Sequence, residues 1–260
     1  MKIRGIISFV FFSFLLNPTA HSQSSLDLAP FFRGYEGCFV LYDVQKNSFL
    51  RFNESRCNER MSPCSTFKIP NSLIGLECGV IRDASHVFHW DGVQRSIPSW
   101  NRDHDLRSAL SNSVVWYYQK LASEVGESRM NDFIQKIRYG NNDISGGITQ
   151  FWLGNSLTIS ANEQVEFLTR FYKNELPFSQ RSLDIVKEIM ILDRTNDYTF
   201  RGKTGSGFES GIRSWGWFVG YVETAKNTFI FAANTESKEG ADGRKTKEIV
   251  IQILKRLSLL

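Results

Sequence analysis

The residue types best suited to covalent chemistry stand at the start of a helix-like segment, where Ser65 is followed three residues later by Lys68. Side chains three apart on a helix share a face, so the lysine amine can reach the serine hydroxyl and take its proton. The helix N-terminus, directly after Pro63, would also offer backbone N–H groups to a developing oxyanion. The alternative is a surface serine and lysine, because this spacing arises by chance roughly once in a chain of this length. The pair therefore predicts nucleophilic chemistry only in combination with other motifs.

Two further short motifs follow along the chain. Ser113 stands between a polar loop and an apolar helix, where a helix N-cap is the simpler interpretation. Lys203-Thr204-Gly205 ends a β-like run. Its lysine and threonine could bind a carboxylate, and its glycine would let a substrate backbone approach closely. A phosphate-binding loop is excluded here, because it requires a glycine where Asp197 stands and a helix after the lysine.

Strand patterns gather at the two ends of the chain, and helical periodicity fills the middle. Two late strands are joined by a short loop, as in an antiparallel hairpin, and Ser160 with Glu163 forms a capping box that begins a helix. We therefore predict an α/β fold of the α+β type. One antiparallel sheet, made by the chain ends and flanked by helices, would contain an inserted, mainly helical region at roughly residues 65–195, with a site in the groove between them. The strands are predicted at 37–43, 48–53, 198–203, 214–222 and 228–233, and the helices at 65–79, 114–137 (interrupted by Gly126), 160–172, 183–192 and 244–260.

Composition and charge exclude several classes of protein. The 260 residues are 42% hydrophobic and 22% charged, which is ordinary for a globular chain with a sizeable core. The 31 basic and 27 acidic side chains leave a net charge of +4 without a Lys/Arg block, so a nucleic-acid-binding surface is not expected. Four cysteines without CxxC spacing argue against a zinc ribbon and a dense disulfide framework.

The first 22 residues have the layout of a secretory signal peptide. Two basic residues precede an apolar run at residues 5–16, and small residues at Ala20 and Ser22 form a cleavage pattern. The apolar run is too short to span a bilayer, and an uncleaved membrane anchor is the alternative. We expect a mature chain of residues 23–260 that forms one domain, in the periplasm or secreted, with no membrane attachment and no later membrane span.

Export would permit a disulfide bond. Cys38 and Cys57 flank the predicted N-terminal hairpin, and the sequence leaves open whether they pair or stay as two buried thiols. Cys64 and Cys78 fall in a helical context and are interpreted as core residues.

Together and in this order, the S-x-x-K, S-x-V and K-T-G motifs match the serine-acylating, penicillin-recognising superfamily. Within it the chain resembles the class D (oxacillinase-type) β-lactamases, from about Gly37 to the C-terminal helix. It departs from that pattern at Cys64, where a small apolar residue is expected. Class A fits less well, because no S-x-N motif stands in second place. The resemblance is carried by 63–73 (PCSTFKIPNSL), 139–141 (YGN), 145–147 (SGG), 151–153 (FWL), 203–205 (KTG) and 216–220 (GWFVG).

The resemblance implies a mechanism in which Ser65 opens the β-lactam ring of penicillins and related antibiotics to form an acyl-enzyme. Lys68, neutral because it is buried among apolar groups, would add carbon dioxide and become N6-carboxylysine. That group would be the base for acylation and for the water that deacylates the enzyme. Ser113 would relay a proton toward the leaving nitrogen, tuned by Lys203. The result would be antibiotic resistance, with carbon dioxide or bicarbonate needed for the modification and neither a cofactor nor a metal implied.

The resemblance also implies how the substrate and the modified lysine are held. Backbone N–H groups of Ser65 and Ser206 would form the oxyanion hole. Thr204, Gly205 and Arg244 would bind the substrate. Of these, Thr204 and Arg244 would contact the substrate's carboxylate. The Trp152 indole N–H would donate to the carboxylated lysine. The apolar pocket around that lysine would consist of Phe67, Val115, Trp152 and Leu153.

Other functions stay open from the sequence. A β-lactam sensor domain or a D,D-peptidase would share the acylating residues but would turn the acyl-enzyme over slowly. A receptor sensor would also need membrane helices before the domain, where this chain has the predicted signal peptide. A wall-binding module that kept the fold without catalysis is a third possibility. The expected partner is a small β-lactam, with no nucleic acid and no membrane, and the sequence makes no prediction of oligomeric state.

Overall fold

The computed structural model describes residues 26–209 and 211–260, so the predicted signal peptide, residues 1–22, lies outside the described residues. No helix in this part of the chain is long and apolar enough to cross a bilayer. The strands are β1 Glu36–Asp43, β2 Ser48–Phe52, β3 Val87–Phe88, β4 His104–Asp105, β5 Ile191–Arg194, β6 Tyr198–Glu209, β7 Ile212–Thr224 and β8 Thr228–Glu236. The α-helices are α1 Glu54–Cys57, α2 Lys68–Glu77, α3 Leu106–Ser111, α4 Val115–Val125, α5 Glu127–Ile137, α6 Ala161–Tyr172, α7 Gln180–Ile189 and α8 Gly243–Arg256. Short 3₁₀ helices cover Ala29–Phe32, Cys64–Phe67 and Pro98–Trp100.

Six strands form one antiparallel sheet in the order β2-β1-β8-β7-β6-β5. The N-terminal hairpin joins the C-terminal strands through β1 and β8, with Phe39 opposite Ala233. This confirms the predicted sheet made by the two ends of the chain. Strand β6, which carries Lys203, lies between β5 and β7.

Both faces of the sheet are covered, because successive side chains of a strand point to opposite sides. On one face, Phe39 and Phe218 pack in a cluster with Ile253 of the C-terminal helix α8. On the other face, Val219 and Trp217 belong to a larger core to which the helical region contributes. The inserted region therefore lies on the face opposite α8.

Two of the predicted helices begin and end close to where the sequence placed them. Ser160 and Glu163 make the predicted capping box, in which the Glu163 N–H donates to Ser160 Oγ at 3.2 Å and Ser160 N–H donates to Glu163 Oε2 at 2.9 Å. Gly126, with φ +83°, separates α4 from α5 as expected.

The predicted helix 183–192 was partly wrong. Helix α7 begins three residues earlier, at Gln180, because the Ser179 side chain accepts from the Ser182 N–H, and it ends at Ile189. Ile191–Arg194 is an edge strand that pairs with β6. The apolar pattern runs on without a glycine or proline between the two elements, so only the tertiary pairing separates them.

The two N-terminal cysteines, Cys38 and Cys57, are both fully buried free thiols. Cys57 Sγ lies 3.3 Å from the Phe52 carbonyl oxygen. Cys64 is buried and Cys78 is half-buried, in keeping with the core roles expected for them.

Candidate active site

The segment that carries Ser65 has an uncommon backbone. Cys64 begins the 3₁₀ helix with φ +48°, a left-handed conformation that costs a residue other than glycine about 1–2 kcal/mol. Ser65 follows half-buried at the edge of a cavity, and α2 begins at Lys68. Lys68 Nζ donates to Ser65 Oγ at 2.9 Å. The predicted spacing therefore brings the two groups together, over a 3₁₀ turn instead of an α-helical one.

The Lys68 amine is fully buried. Burial, and to a lesser extent the nearby cation of Lys203, lowers the pKa of Lys68 well below its ordinary value. The face of the Tyr118 ring is 5.2 Å from Nζ. This environment favours the neutral amine, which can accept a proton from the serine.

An aromatic cluster adjoins Lys68. The Phe67 ring stacks on Trp152 at 5.4 Å between centroids and meets Phe151 edge-on at 5.0 Å. Trp152 is fully buried, and among the described residues its indole N–H has no hydrogen-bond partner. Because an unpaired buried donor costs free energy, this N–H is suited to an acceptor that the polypeptide itself does not provide. The other two predicted pocket residues, Val115 and Leu153, line the cavity.

The second and third motifs meet across the cavity. Ser113 lies between α3 and α4 with φ +56°, and Lys203 Nζ donates to its hydroxyl at 3.0 Å. The same amine donates to the Thr204 carbonyl oxygen at 2.9 Å. Burial, with the Lys247 cation as a second cause, lowers the pKa of Lys203 to about 7. Lys203 can therefore gain or lose a proton near neutral pH.

Gly205 is the point where β6 approaches the nucleophile segment. A Cβ atom there would lie 2.7 Å from the Pro63 carbonyl oxygen and 3.3 Å from the Ser65 nitrogen. Only a glycine lets β6 come this close to the main chain of the nucleophile segment. Ser206 Oγ in turn accepts from the Gly243 N–H at 2.9 Å, which ties β6 to the start of α8.

The cavity above these groups has a volume of about 480 Å³. Arg244 stands at its rim with a side chain that is 83% exposed, 3.7 Å from the Asp242 carboxylate. Arg213 lies closer to the same carboxylate oxygen, at 3.1 Å. The cavity is lined by Cys64, Ser65, Ile97, Trp100, Asn112, Ser113, Val115, Leu153, Thr204, Gly205, Ser206, Gly207, Phe208, Arg213, Asp242 and Arg244.

Sequence reasoning missed one cation of this region, Arg213, and the influence of a second, Lys247, on Lys203. Arg213 lies at the cavity because β7 pairs antiparallel with β6 across a bulge between Gly207 and Phe208. No local sequence pattern predicts that register. Lys247 lies on α8 three residues after Arg244, as its position in the sequence indicates, but its effect on the pKa of Lys203 could be seen only in the structure. Within 26–209 and 211–260, no group of three or more His, Cys, Asp or Glu side chains is arranged to hold a metal ion.

Comparisons with known proteins agree with this geometry. The penicillin binding protein transpeptidase domain family matches residues 37–255. Probable β-lactamase YbxI of Bacillus subtilis is 44% identical over 238 residues, which cover 91% of this chain and 86% of the relative. The structure of class D β-lactamase BAT-2 superposes with a TM-score of 0.87 at 45% identity and covers 91% of this chain and 98% of its own. The C-terminal domain of the Bacillus licheniformis BlaR penicillin receptor gives a TM-score of 0.86 at 38% identity, and the match covers 90% of this chain and 96% of that domain.

The chain belongs to the penicillin-binding transpeptidase family. Within that family it is a class D serine β-lactamase, as the relatives over most of its length and the neighbouring structures agree. The resemblance recognised in the sequence is thereby confirmed at the level of family, fold and enzyme class.

Proposed function

We propose that the mature chain is an exported class D β-lactamase in which carboxylated Lys68 is the base for both acylation and deacylation of Ser65. Its substrates would be penicillins and related antibiotics, and its activity would give the host bacterium resistance. The observation that carries the proposal is the Lys68 amine, which is fully buried and 2.9 Å from Ser65 Oγ. A lysine kept at low pKa beside a serine hydroxyl is suited to proton transfer.

Acylation would begin as Ser65 Oγ attacks the carbonyl carbon of the β-lactam and its proton passes to the base at Lys68. The carbonyl oxygen, now an oxyanion, would accept from the backbone N–H groups of Ser65 and Ser206. As the ring C–N bond breaks, the Ser113 hydroxyl would give a proton to the leaving nitrogen. Lys203, 3.0 Å away with a pKa of about 7, could resupply that proton near neutral pH.

The surroundings of Lys68 fit the carboxylated form. Carbon dioxide adds to a neutral amine and not to an ammonium, so the lowered pKa of Lys68 favours the modification. A carboxylate on Nζ could accept from the Trp152 indole N–H, which has no partner among the described residues. Phe67, Val115 and Leu153 would keep water from the group. When present, the group supplies a carboxylate base for Ser65 and then for the hydrolytic water.

Substrate recognition would come from the opposite rim of the cavity. Thr204 and Arg244 both line it, and a hydroxyl with a guanidinium can hold the carboxylate that penicillins carry. Gly205 would let the substrate lie against β6. The exposed side chain of Arg244 is free to turn toward a bound anion, because its contact with Asp242 is long, at 3.7 Å.

Turnover of a chromogenic cephalosporin by the purified protein tests the activity. We expect many equivalents to be hydrolysed per enzyme, and Ser65→Ala to abolish both hydrolysis and acylation while it keeps the wild-type fold. Removal of the exposed hydroxyl in Ser145→Ala serves as the matched control and should leave turnover unchanged. Activity that survives in Ser65→Ala would refute the assigned nucleophile.

The same assay decides between the proposed function and a sensor or D,D-peptidase. The similarity to the BlaR receptor domain is the observation that favours this second candidate. A single stoichiometric burst without turnover would support it, because a sensor keeps its acyl-enzyme. Absence of any reaction would instead support a non-catalytic wall-binding module.

The carboxylated lysine is tested by activity at mildly acidic pH as a function of bicarbonate. Acid protonates Lys68 and drives carbon dioxide off, so activity should fall and added bicarbonate should restore it by mass action. Trp152→Ala should need more bicarbonate than wild type, whereas Trp90→Ala, which removes a tryptophan elsewhere, should not. A flat response to bicarbonate in the wild type and in Trp152→Ala would remove carboxylated Lys68 from the mechanism.

Export is tested separately, by fractionation of the expressing cells and N-terminal sequencing of the product. We expect the protein outside the cytoplasm, beginning near Gln23. A product that keeps residues 1–22 and sediments with membranes would favour an uncleaved anchor.

A further inference from the structure

Ser62, three residues before the nucleophile, uses the whole hydrogen-bonding capacity of its hydroxyl. It is nearly fully buried, and its Oγ donates to the Trp152 carbonyl oxygen at 2.9 Å. The same oxygen accepts from the Gly154 N–H at 2.8 Å and, at the longer distance of 3.7 Å, from the Cys64 thiol. A hydroxyl offers one donor and two acceptor positions, and here all three are taken. Two of these hydrogen bonds join Ser62 to the turn that carries Trp152.

The main chain of Ser62 binds a third part of the structure. Its carbonyl oxygen accepts from the Trp217 indole N–H at 3.0 Å, and Trp217 is fully buried on β7. One residue thus joins the nucleophile segment, the Trp152 turn and the sheet. The other backbone hydrogen bonds of the turn are internal to its own loop. The Leu153 N–H donates to the Gln150 carbonyl oxygen at 2.8 Å, and the Leu157 N–H donates to that of Phe151 at 2.9 Å. Ser62 is the contact that joins this loop to the nucleophile segment by hydrogen bonds.

We propose that Ser62 is a positioning residue that holds the Trp152 indole in its place against Phe67, the residue before Lys68, and so sets how tightly Lys68 retains carbon dioxide. The inference rests on the proposed function, because it concerns the carboxylated form of Lys68. The reason is geometric: Ser62 fixes the peptide groups on both sides of Leu153, and these determine where the Trp152 ring stacks on Phe67. A hydrogen bond weakens steeply with small errors of distance and angle, so the indole N–H can serve a carboxylate only if the turn is held.

Loss of the Ser62 hydroxyl would leave the Trp152 carbonyl oxygen and the Gly154 N–H without this partner in a buried place. Buried polar groups without partners move to find others, and the turn would shift with them. Carbon dioxide bound less firmly is still bound at high concentration. The effect should therefore appear in the bicarbonate concentration required and not in the rate at saturation.

The test measures occupancy of Lys68 by ¹³C NMR with ¹³C-labelled bicarbonate, together with turnover of a chromogenic cephalosporin across the same titration. We expect Ser62→Ala to need about tenfold more bicarbonate for half occupancy, the scale of one charge-assisted hydrogen bond. At saturating bicarbonate its kcat should return to within about twofold of wild type. Ser62→Thr keeps a hydroxyl and should restore most of the affinity.

Ser182→Ala is the matched control. Ser182, on α7, is also a buried serine that lies away from the cavity. Its hydroxyl donates to Oε2 of Glu77, the last residue of α2, at 2.8 Å. This variant should lower the melting temperature without changing the bicarbonate requirement. The control separates a specific effect on Trp152 from general destabilisation.

Each outcome bears on a different claim. A wild-type protein with no ¹³C signal from Lys68 would overturn the carboxylated-lysine mechanism and this inference with it. A wild-type signal with an unchanged bicarbonate requirement in Ser62→Ala, or an equal increase in Ser182→Ala, would overturn the inference alone. A Ser62→Ala protein whose kcat stays low at full occupancy would also overturn it, since Ser62 would then act on Ser65 directly.

Discussion

Gly205→Ala tests whether the close approach of β6 to the nucleophile segment makes the oxyanion hole. The added Cβ would lie 2.7 Å from the Pro63 carbonyl oxygen, and an ordinary contact needs about 3.4 Å. The strand must therefore move back by about 0.7 Å, because the opposing atom is main chain and cannot rotate away. The same movement separates the N–H groups of Ser65 and Ser206. Stretching a 2.9 Å hydrogen bond by that amount nearly removes it, and one lost oxyanion donor costs about 10²–10³-fold in kcat.

The assay is steady-state hydrolysis of a penicillin, with the melting temperature measured on the same samples. Gly202→Ala is the matched control, because its Cβ would also meet its nearest atom at 2.7 Å, here on the Phe218 ring at the opposite face. Both variants should lose stability by overpacking, of order 1–3 kcal/mol. Only Gly205→Ala should lose kcat by two orders of magnitude or more. Equal kcat in the two variants would refute the argument that Gly205 shapes the oxyanion hole.

Three further outcomes are expected. Thr204→Ala combined with Arg244→Ala should raise KM more than it lowers kcat, since in the proposed role these groups would hold a charge already present in the bound substrate; an unchanged KM would contradict this. Lys203→Met should lower kcat/KM by about 10²-fold or more yet raise the melting temperature by several degrees, seen by calorimetry at pH 7, because it removes a buried amine. Ser160→Ala should lower the unfolding free energy by about 1 kcal/mol in urea without changing kcat, because only a helix cap is lost.

How much of the site could be predicted depended on how far apart its residues lie in the chain. The Ser65–Lys68 contact followed from spacing, because one helical turn brings residues three apart onto one face. Ser113 and Lys203 are ninety positions apart, and their contact could be expected only from the resemblance to a family. The register that brings Arg213 to the cavity depends on the bulge between Gly207 and Phe208, which no local sequence pattern encodes.

The same distinction holds for the fold. The Ser160 capping box and the break at Gly126 were predictable because each is decided by a few neighbouring residues. The boundary between α7 and β5 could not be predicted, because residues that continue the helical pattern form a strand through their pairing with β6. The place of Ser62 likewise required the structure, since its partners Trp152 and Gly154 lie ninety residues further along the chain.

The proposed chemistry depends on the burial of two lysine amines whose charged forms would be more stable in water. Lys203 has a folded pKa of about 7 against an ordinary value of 10.5, so between those values the unfolded chain binds the extra proton. The free energy of unfolding therefore rises as pH rises through that window. Below pH 7 the full cost of burying the protonated Lys203 is present, on the order of 5 kcal/mol. Lys68 is shifted in the same direction, with Lys203 itself among the causes. Burial is the main cause of both lowered pKa values, and a second cation adds to it in each case, Lys203 beside Lys68 and Lys247 beside Lys203. The large cores on both faces of the sheet supply the stability that offsets this cost.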